Sequence, residues 1–412
     1  MQAAADASNL LRSEAELVLE ESRKQKAEKT KHLGSPIELP GKALGIEVRG
    51  NYAWIAENTA VARKVSLESG KTLQLFRGHS APVTCLAFFD KEPGSVLGDV
   101  LITGSWDQTI KVWNTETKEL ISSTPAHSDF VKSLCVVPSL ALLISSSSDK
   151  TLRFWDLSTY QNGQPLHSVG SLSAHTRPVE SLNAYPLSDS SAILYTADTM
   201  GVIKVWELTK ENSDPPRWRS TMREELNHHR TRINEVVYGN GQLWTASSDD
   251  TVQMCQQSPA TATSNSASKP PPPITHPVAV KAVLPLALSP LAEPYLLTGA
   301  GDVIRVYDIS TLEEPELLCE VDAHWHDVTA LRLWMRKTPV KGTGGQFKVE
   351  PWIVSASLDG TIRKWRLSEL LSPPPPVPVT KLPVPTPPPE PSNVFQMSEE
   401  EERELAELMD SD

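Results

Sequence analysis

Ten histidines, 51 acidic residues and four cysteines are the groups in this 412-residue chain best suited to move a proton, activate a nucleophile or hold a metal. Six of the histidines stand at His79, His127, His175, His229, His276 and His324, at intervals of 48, 48, 54, 47 and 48 residues. Asp107, Asp149, Asp249 and Asp359 follow four of them, and serines crowd nearby, as in SSSSD at 145–149. A hydroxyl, an imidazole and a carboxylate together can make an activated nucleophile, provided they converge in space. The same set recurs here along the whole chain, which is the mark of a structural repeat rather than of one reaction centre.

No other reaction machinery is present. The chain has no GxSxG, no P-loop and no HExxH. His326 beside His324 and His228 beside His229 are extra imidazoles without further ligands at metal spacing. Cys85, Cys135, Cys255 and Cys319 are far apart and form no CxxC pair, so neither a local zinc finger nor a disulfide framework is expected. The expectation is a non-enzymatic chain without catalytic residues, metal or cofactor.

The elements around the histidines read as strands. LITGSWDQTIKVW ends at Trp113, LISSSSDKTLRFW at Trp155, LYTADTMGVIKVW at Trp206 and WIVSASLDGTIRKW at Trp365. Weaker copies end at Cys255 and Tyr307. Runs such as TIKVW and TLRFW are β-branched and aromatic with alternation, and SWDQ, SSDK and LDG are polar turns between them. One such sheet cannot bury both of its faces, whereas several side by side bury a continuous core.

These residues resemble the WD40-repeat family, whose marks are a Gly-His and a Trp-Asp, seen best here at Gly78-His79 and Trp155-Asp156. The resemblance implies an all-β seven-bladed propeller over residues 35–371, with four strands per blade. It also implies a hydrogen-bonded network of His, Ser or Thr, Asp and Trp within each repeat. That maps onto His79, Asp107 and Trp113; His127, Asp149 and Trp155; and His324, Asp359 and Trp365, with Ser105, Ser147 and Ser357 or hydroxyl neighbours completing the sets. His175 with Trp206, and His229 with Asp249, are partial sets. Met200 stands where blade four needs Asp, Cys255 where blade five needs Trp, and blade six lacks a residue near Gly301–Asp302. Loss of the network in blades four to six is expected. A first blade without repeat His or Asp precedes them at ALGIEV, YAWIAE, AVARKVSL and TLQLF, and PIELP at 36–40 is expected to complete the last blade.

Outside the ring, residues 1–34 form a helix-prone extension, read first as a helix lying on the propeller or fraying in solvent and second as a partner-binding or coiled-coil helix. SPATATSNSASKPPPPIT at 258–275 reads as a disordered loop, and the proline run at 372–396 as an extended linker. An acidic helix is expected at 397–412, where Leu405 and Leu408 share one face and a basic partner is the natural complement. The net charge of −12 argues against direct nucleic-acid binding through a generally basic surface. No run of about 18 apolar residues suggests a membrane span. The reduced thiols point to the cytoplasm, the nucleus or both.

Binding is therefore the expected role. The residue before each turn Asp and the loop leading into each first strand share one rim in this family. Trp106, Phe130, Arg177, Arg232, Trp325 and Leu358 are the candidate partner-binding residues there, since Trp and Arg dominate interface hot spots. The expected function is a protein–protein interaction scaffold that assembles a complex through propeller faces and tails. A ubiquitin-ligase substrate receptor is the first alternative, although Trp155-Asp156 is followed by Ser158 where such receptors carry Arg. An RNA-associated assembly factor is the second.

Overall fold

The computed structural model describes residues 14–90, 99–158, 163–173, 175–211, 213, 217–257, 270–339 and 347–372. Residues 1–13 of the N-terminal extension, the proline run, and Leu405 and Leu408 of the expected acidic helix lie outside the described residues.

Among the described residues the strands form seven four-stranded antiparallel sheets. After helix α1 (Glu14–Thr30) and the short β1 (Ile37–Glu38), blade one is β2 (Ala43–Arg49), β3 (Tyr52–Glu57), β4 (Val61–Ser66) and β5 (Thr72–Arg77). Blade two is β6 (Val83–Phe89), β7 (Val100–Ser105), β8 (Thr109–Asn114) and β9 (Leu120–Pro125). Blade three is β10 (Val131–Val137), β11 (Leu142–Ser147), β12 (Thr151–Asp156) and β13 (His167–Ser173). Blade four is β14 (Val179–Ser188), β15 (Ser191–Asp198), β16 (Ile203–Glu211) and β17 (Arg217–Leu226). Blade five is β18 (Ile233–Gly239), β19 (Gln242–Ser247), β20 (Thr251–Gln256) and β21 (Ile274–Thr275). Blade six is β22 (Val280–Pro285), β23 (Tyr295–Ala300), β24 (Val303–Asp308) and β25 (Glu316–Asp322). Blade seven is β26 (Val328–Pro339), β27 (Phe347–Ser357) and β28 (Thr361–Arg366), with β1 as its outer strand and helix α2 (Leu367–Leu371) behind it.

Burial explains the strand types. β7, VLITGS, is buried at every position because neighbouring blades cover both its faces, whereas the outer β9 alternates. Cores form between blades: Ile144, Phe154, Leu194 and Trp206 join blades three and four. Each such side chain contributes about 1.5–3 kcal/mol on burial. β21 corrects one expectation, since blade five takes its outer strand from inside the segment read as a disordered loop. Ile274 pairs with Val252 there, just after the prolines end.

The polar turn repeats with one backbone signature. Ala60, Gln108, Lys150, Gly201, Asp250 and Gly360 occupy the same turn position and all have φ between 62° and 84°. Blade six is one residue shorter here, between Gly301 and Val303.

The ring closes as PIELP suggested. Ile37 pairs with Ile362 and Glu38 with Thr361. Gly34, at φ 64°, passes so close to the Trp365 indole that a Cβ would lie 2.5 Å from it, and its carbonyl accepts the Lys364 N–H at 2.6 Å. The buried Arg363 guanidinium donates to the carbonyls of Thr30 and Leu33. Lys26 of α1 reaches Asp302 at 2.7 Å and Asp322 at 2.9 Å. The helix thus lies against blades six and seven.

Candidate functional site

The repeat residues meet in buried networks. In blade two the His79 Nδ1–H donates to Asp107 at 2.8 Å, Nε2 faces the Thr103 hydroxyl at 2.7 Å, and the Trp113 indole N–H donates to that hydroxyl at 2.9 Å. Blade three repeats this with His127, Asp149, Ser145 and Trp155. Blade seven does so with His324, Asp359, Ser355 and Trp365. The hydroxyls are Thr103, Ser145 and Ser355, two residues upstream of the expected Ser105, Ser147 and Ser357. The latter are spent on the turn: Ser105 donates to the Ala81 carbonyl and accepts the Asp107 N–H. Ser145 and Ser355 are wholly buried and already accept an indole N–H, so a substrate has no approach to them.

Blade four overturns the expected loss. Asp198, not the residue at Met200, binds His175 at 2.9 Å, and Thr196 and Trp206 complete the set. Asp198 sits at the strand position that other repeats give to Ser, and it reaches the imidazole from there. The N–H groups of Met200 and Val202 hold its second oxygen. Blade five keeps His229, Asp249 and Thr245 but lacks the indole. His228 lies 5.0 Å from His229 and 3.7 Å from the Cys255 sulfur instead.

Of the six blades with a repeat histidine, blade six alone lacks the carboxylate partner. The shortened turn sends Asp302 to Lys26 of α1, and the buried His276 Nδ1 has no hydrogen-bond partner among the described residues. Burial, then the nearby Arg305 charge, pushes the His276 pKa from 6.5 down to about 4. In the unfolded chain this imidazole takes up its proton near pH 6.5, while the folded chain resists until about 4. Stability therefore falls as pH drops through that window, since the unfolded state binds more protons. His276→Gln is expected to remove this share of the loss, on the order of 3 kcal/mol at most. Urea midpoints at pH 7.5, 6 and 5 test it, and identical pH slopes for both chains would refute it.

The carboxylates behave oppositely. Burial disfavours the ionised form of Asp149, but hydrogen bonds from Thr151 outweigh it and hold the group at about 2. Asp249 is held at about 2 in the same way. These are anions anchoring turns, not acids poised near neutral pH.

Above the networks a second bond recurs. The residue before the turn Asp donates its N–H to the loop that leads into the first strand: Trp106 to Pro82, Ser148 to Phe130, Ser248 to Arg232 and Leu358 to Asp327, at 2.8–3.1 Å. Asn58, Thr199 and Gly301 do the same with Lys42, Pro178 and Ala279. This bond gathers the candidate binding residues onto one rigid rim. Trp106 and Phe130, 40% and 39% exposed, stack with centroids 5.1 Å apart and planes at 23°. Arg177 is exposed further round. Arg232 is partly spent, since it pairs with Glu180 at 2.8 Å, as does Lys132 at 3.4 Å. Leu358 is half-buried. Trp325 is not part of an open patch: with Arg23, Lys26 and His326 it lines a cavity of about 360 Å³ beneath α1.

Two features escaped sequence reasoning. A channel of about 590 Å³ runs through the ring, and in it Arg332 bridges Glu47 and Glu235 at 3.2 and 2.9 Å. These partners are 285 and 97 residues away, so no local pattern announces them. The other is Lys26, a lysine among many in a helix of mixed charge.

Among the described residues no helix is long and apolar enough to cross a membrane. The family model "WD domain, G-beta repeat" matches residues 70–114 and 118–156, which span most of blades two and three. An uncharacterised WD repeat-containing protein of Schizosaccharomyces pombe is 29% identical over 87% of this chain and 89% of its own length. A bromodomain and WD repeat-containing protein of Dictyostelium discoideum is 31% identical over 33% of this chain, and this chain spans 6% of it. WD repeat-containing protein 37 of Homo sapiens is 30% identical over 28% of this chain and 22% of its own length. Seven blades, the recurring His, hydroxyl, Asp and Trp networks and these matches together show WD40 repeats set in a seven-bladed β-propeller.

Proposed function

We propose that the chain is a non-enzymatic scaffold that assembles a multiprotein complex by docking partners on its rim. Proteins with these repeats are generally interaction scaffolds and typically not enzymes. The observation that carries the reading here is the Trp106–Phe130 stack: two large aromatics held solvent-exposed by a backbone bond that fixes their loops. A packed core does not need them there, and aromatic anchors of this kind dominate binding energy. Their rigid setting also lowers the entropy lost on binding. On the same reading the protein works in the cytoplasm, the nucleus or both, in keeping with its four free thiols.

Replacing Trp106 and Phe130 together with alanine tests this. Both are partly exposed, so the melting temperature is expected to move little. Crosslinked capture from cells, followed by mass spectrometry, is expected to show at least one partner reduced about 30-fold or more, the equivalent of about 2 kcal/mol. An unchanged partner set would remove the rim stack from the docking surface.

A further inference from the structure

Blade seven carries the longest strand pair among the described residues. β26 and β27 run for 12 and 11 residues and stay paired out to Pro339 opposite Phe347. β28 covers the far side of β27 only from Trp352, opposite Arg366. Among the described residues no strand pairs with 347–351 on that side.

The direction of the free groups follows from the ladder. The Lys364 N–H points away from β27, toward the Gly34 carbonyl. Its partner Val354 therefore turns its own groups to β26, and alternation turns those of residues 353, 351, 349 and 347 outward. The Lys348 carbonyl agrees, since it faces β26 and accepts the Thr338 hydroxyl at 3.3 Å. Phe347 and Val349 thus present open N–H and C=O groups, and Pro351 an open carbonyl. Phe347 is 62% and Val349 46% exposed.

Exposed edges are usually guarded by charges that repel a second strand. Here the guard is self-complementary. Phe347, Val349 and Pro351 share one face of the strand, while Lys348 and Glu350 share the other and pair at 2.7 Å. A twofold axis at Val349 sets this segment antiparallel to itself. Lys348 of each copy then stands opposite Glu350 of the other, Val349 opposite Val349, and Phe347 opposite Pro351. Opposite charges and apolar pairs directly across a ladder are both favourable.

We propose that the outer edge of β27, residues 347–351, docks a second copy of this chain in that register. Each Val349 N–H donates to the Val349 carbonyl of the second copy, and each Phe347 N–H to its Pro351 carbonyl. The interface is isologous, so it closes at two copies. So short an edge buries less than the roughly 1,200 Å² of a standard interface, and a dissociation constant on the order of 100 μM is expected. The dimer goes beyond the scaffold function by doubling the rims available to bivalent partners.

The test is sedimentation velocity of the full chain from about 10 μM to about 1 mM, the range that brackets such a constant. The wild type is expected to shift from monomer to dimer. Val349→Pro removes only an outward N–H, so the strand pair keeps its internal bonds, and this chain is expected to stay monomeric. Lys348→Glu and Glu350→Lys each place like charges opposite one another and are expected to weaken association about tenfold. Mixed in equal amounts they are expected to associate again, because every opposed pair is then of unlike charge. A wild type that stays monomeric to 1 mM would overturn the proposal, as would undiminished association of Val349→Pro. So would a mixture that associates no better than its components.

Discussion

Replacing Asp359 with alanine is expected to cost about 3–5 kcal/mol, the loss that follows when one partner of a buried charged network is removed. Both Asp359 and His324 have wholly buried side chains. The carboxylate accepts from His324 Nδ1 at 2.8 Å and from the Thr361 hydroxyl and N–H at 2.7 and 2.8 Å. Without it the buried His324 and the half-buried Thr361 lose their common acceptor. The molecule contains its own comparison. Blade six has already lost this bond, because Asp302 points outward to Lys26, and His276 is left with Thr298 and Tyr307. Asp302→Ala removes a partly exposed pair and is expected to cost no more than about 1 kcal/mol. Urea unfolding of the two chains side by side separates these values. Equal costs would mean that the networks do not stabilise the ring.

The histidine spacing made blades two to seven legible because it samples a backbone event, the turn into each first strand, that recurs in space as in sequence. The strands followed from β-branched runs between polar turns, which are local signals. The detail inside each network was less legible. Ser105 and Thr103 lie on the same face of one strand, and only the depth of Trp113 beneath them decides which hydroxyl the indole meets. Asp198 was hidden in the same way: a carboxylate two residues earlier still reaches the imidazole, which no count of residues from the aromatic reveals. On the rim, the Trp106–Phe130 pair was open to inference since both residues sit at repeat-defined positions. Trp325 sits at such a position too, yet α1 covers it, and that contact is fixed by ion pairs between residues about 276 and 296 apart (302 − 26 and 322 − 26).

The same distant segment supports the second large expectation. Arg363→Ala is expected to cost about 2–4 kcal/mol, close to what a buried, hydrogen-bonded charge and its orphaned partners imply. The guanidinium is 2% exposed and donates to Thr30 and Leu33, 333 and 330 residues away in sequence. Thr30 is wholly buried, so its carbonyl has no water to turn to once the donor is gone. The effect should not spread evenly over the ring. β1 pairs with β28 through only two residues, and the turn at Gly34 that leads into it is held by Lys364 and packed on Trp365. Loss of Arg363 therefore frees α1 and β1 first, while the histidine networks of the other blades keep their partners. Limited proteolysis reads this directly: cleavage between residues 14 and 40 is expected to speed up by about 30-fold, which is 2 kcal/mol of local opening. Cleavage elsewhere is expected to keep its rate. A uniform acceleration at all sites would instead mean that the ring opens as one unit and that its closure is no weaker than its blades.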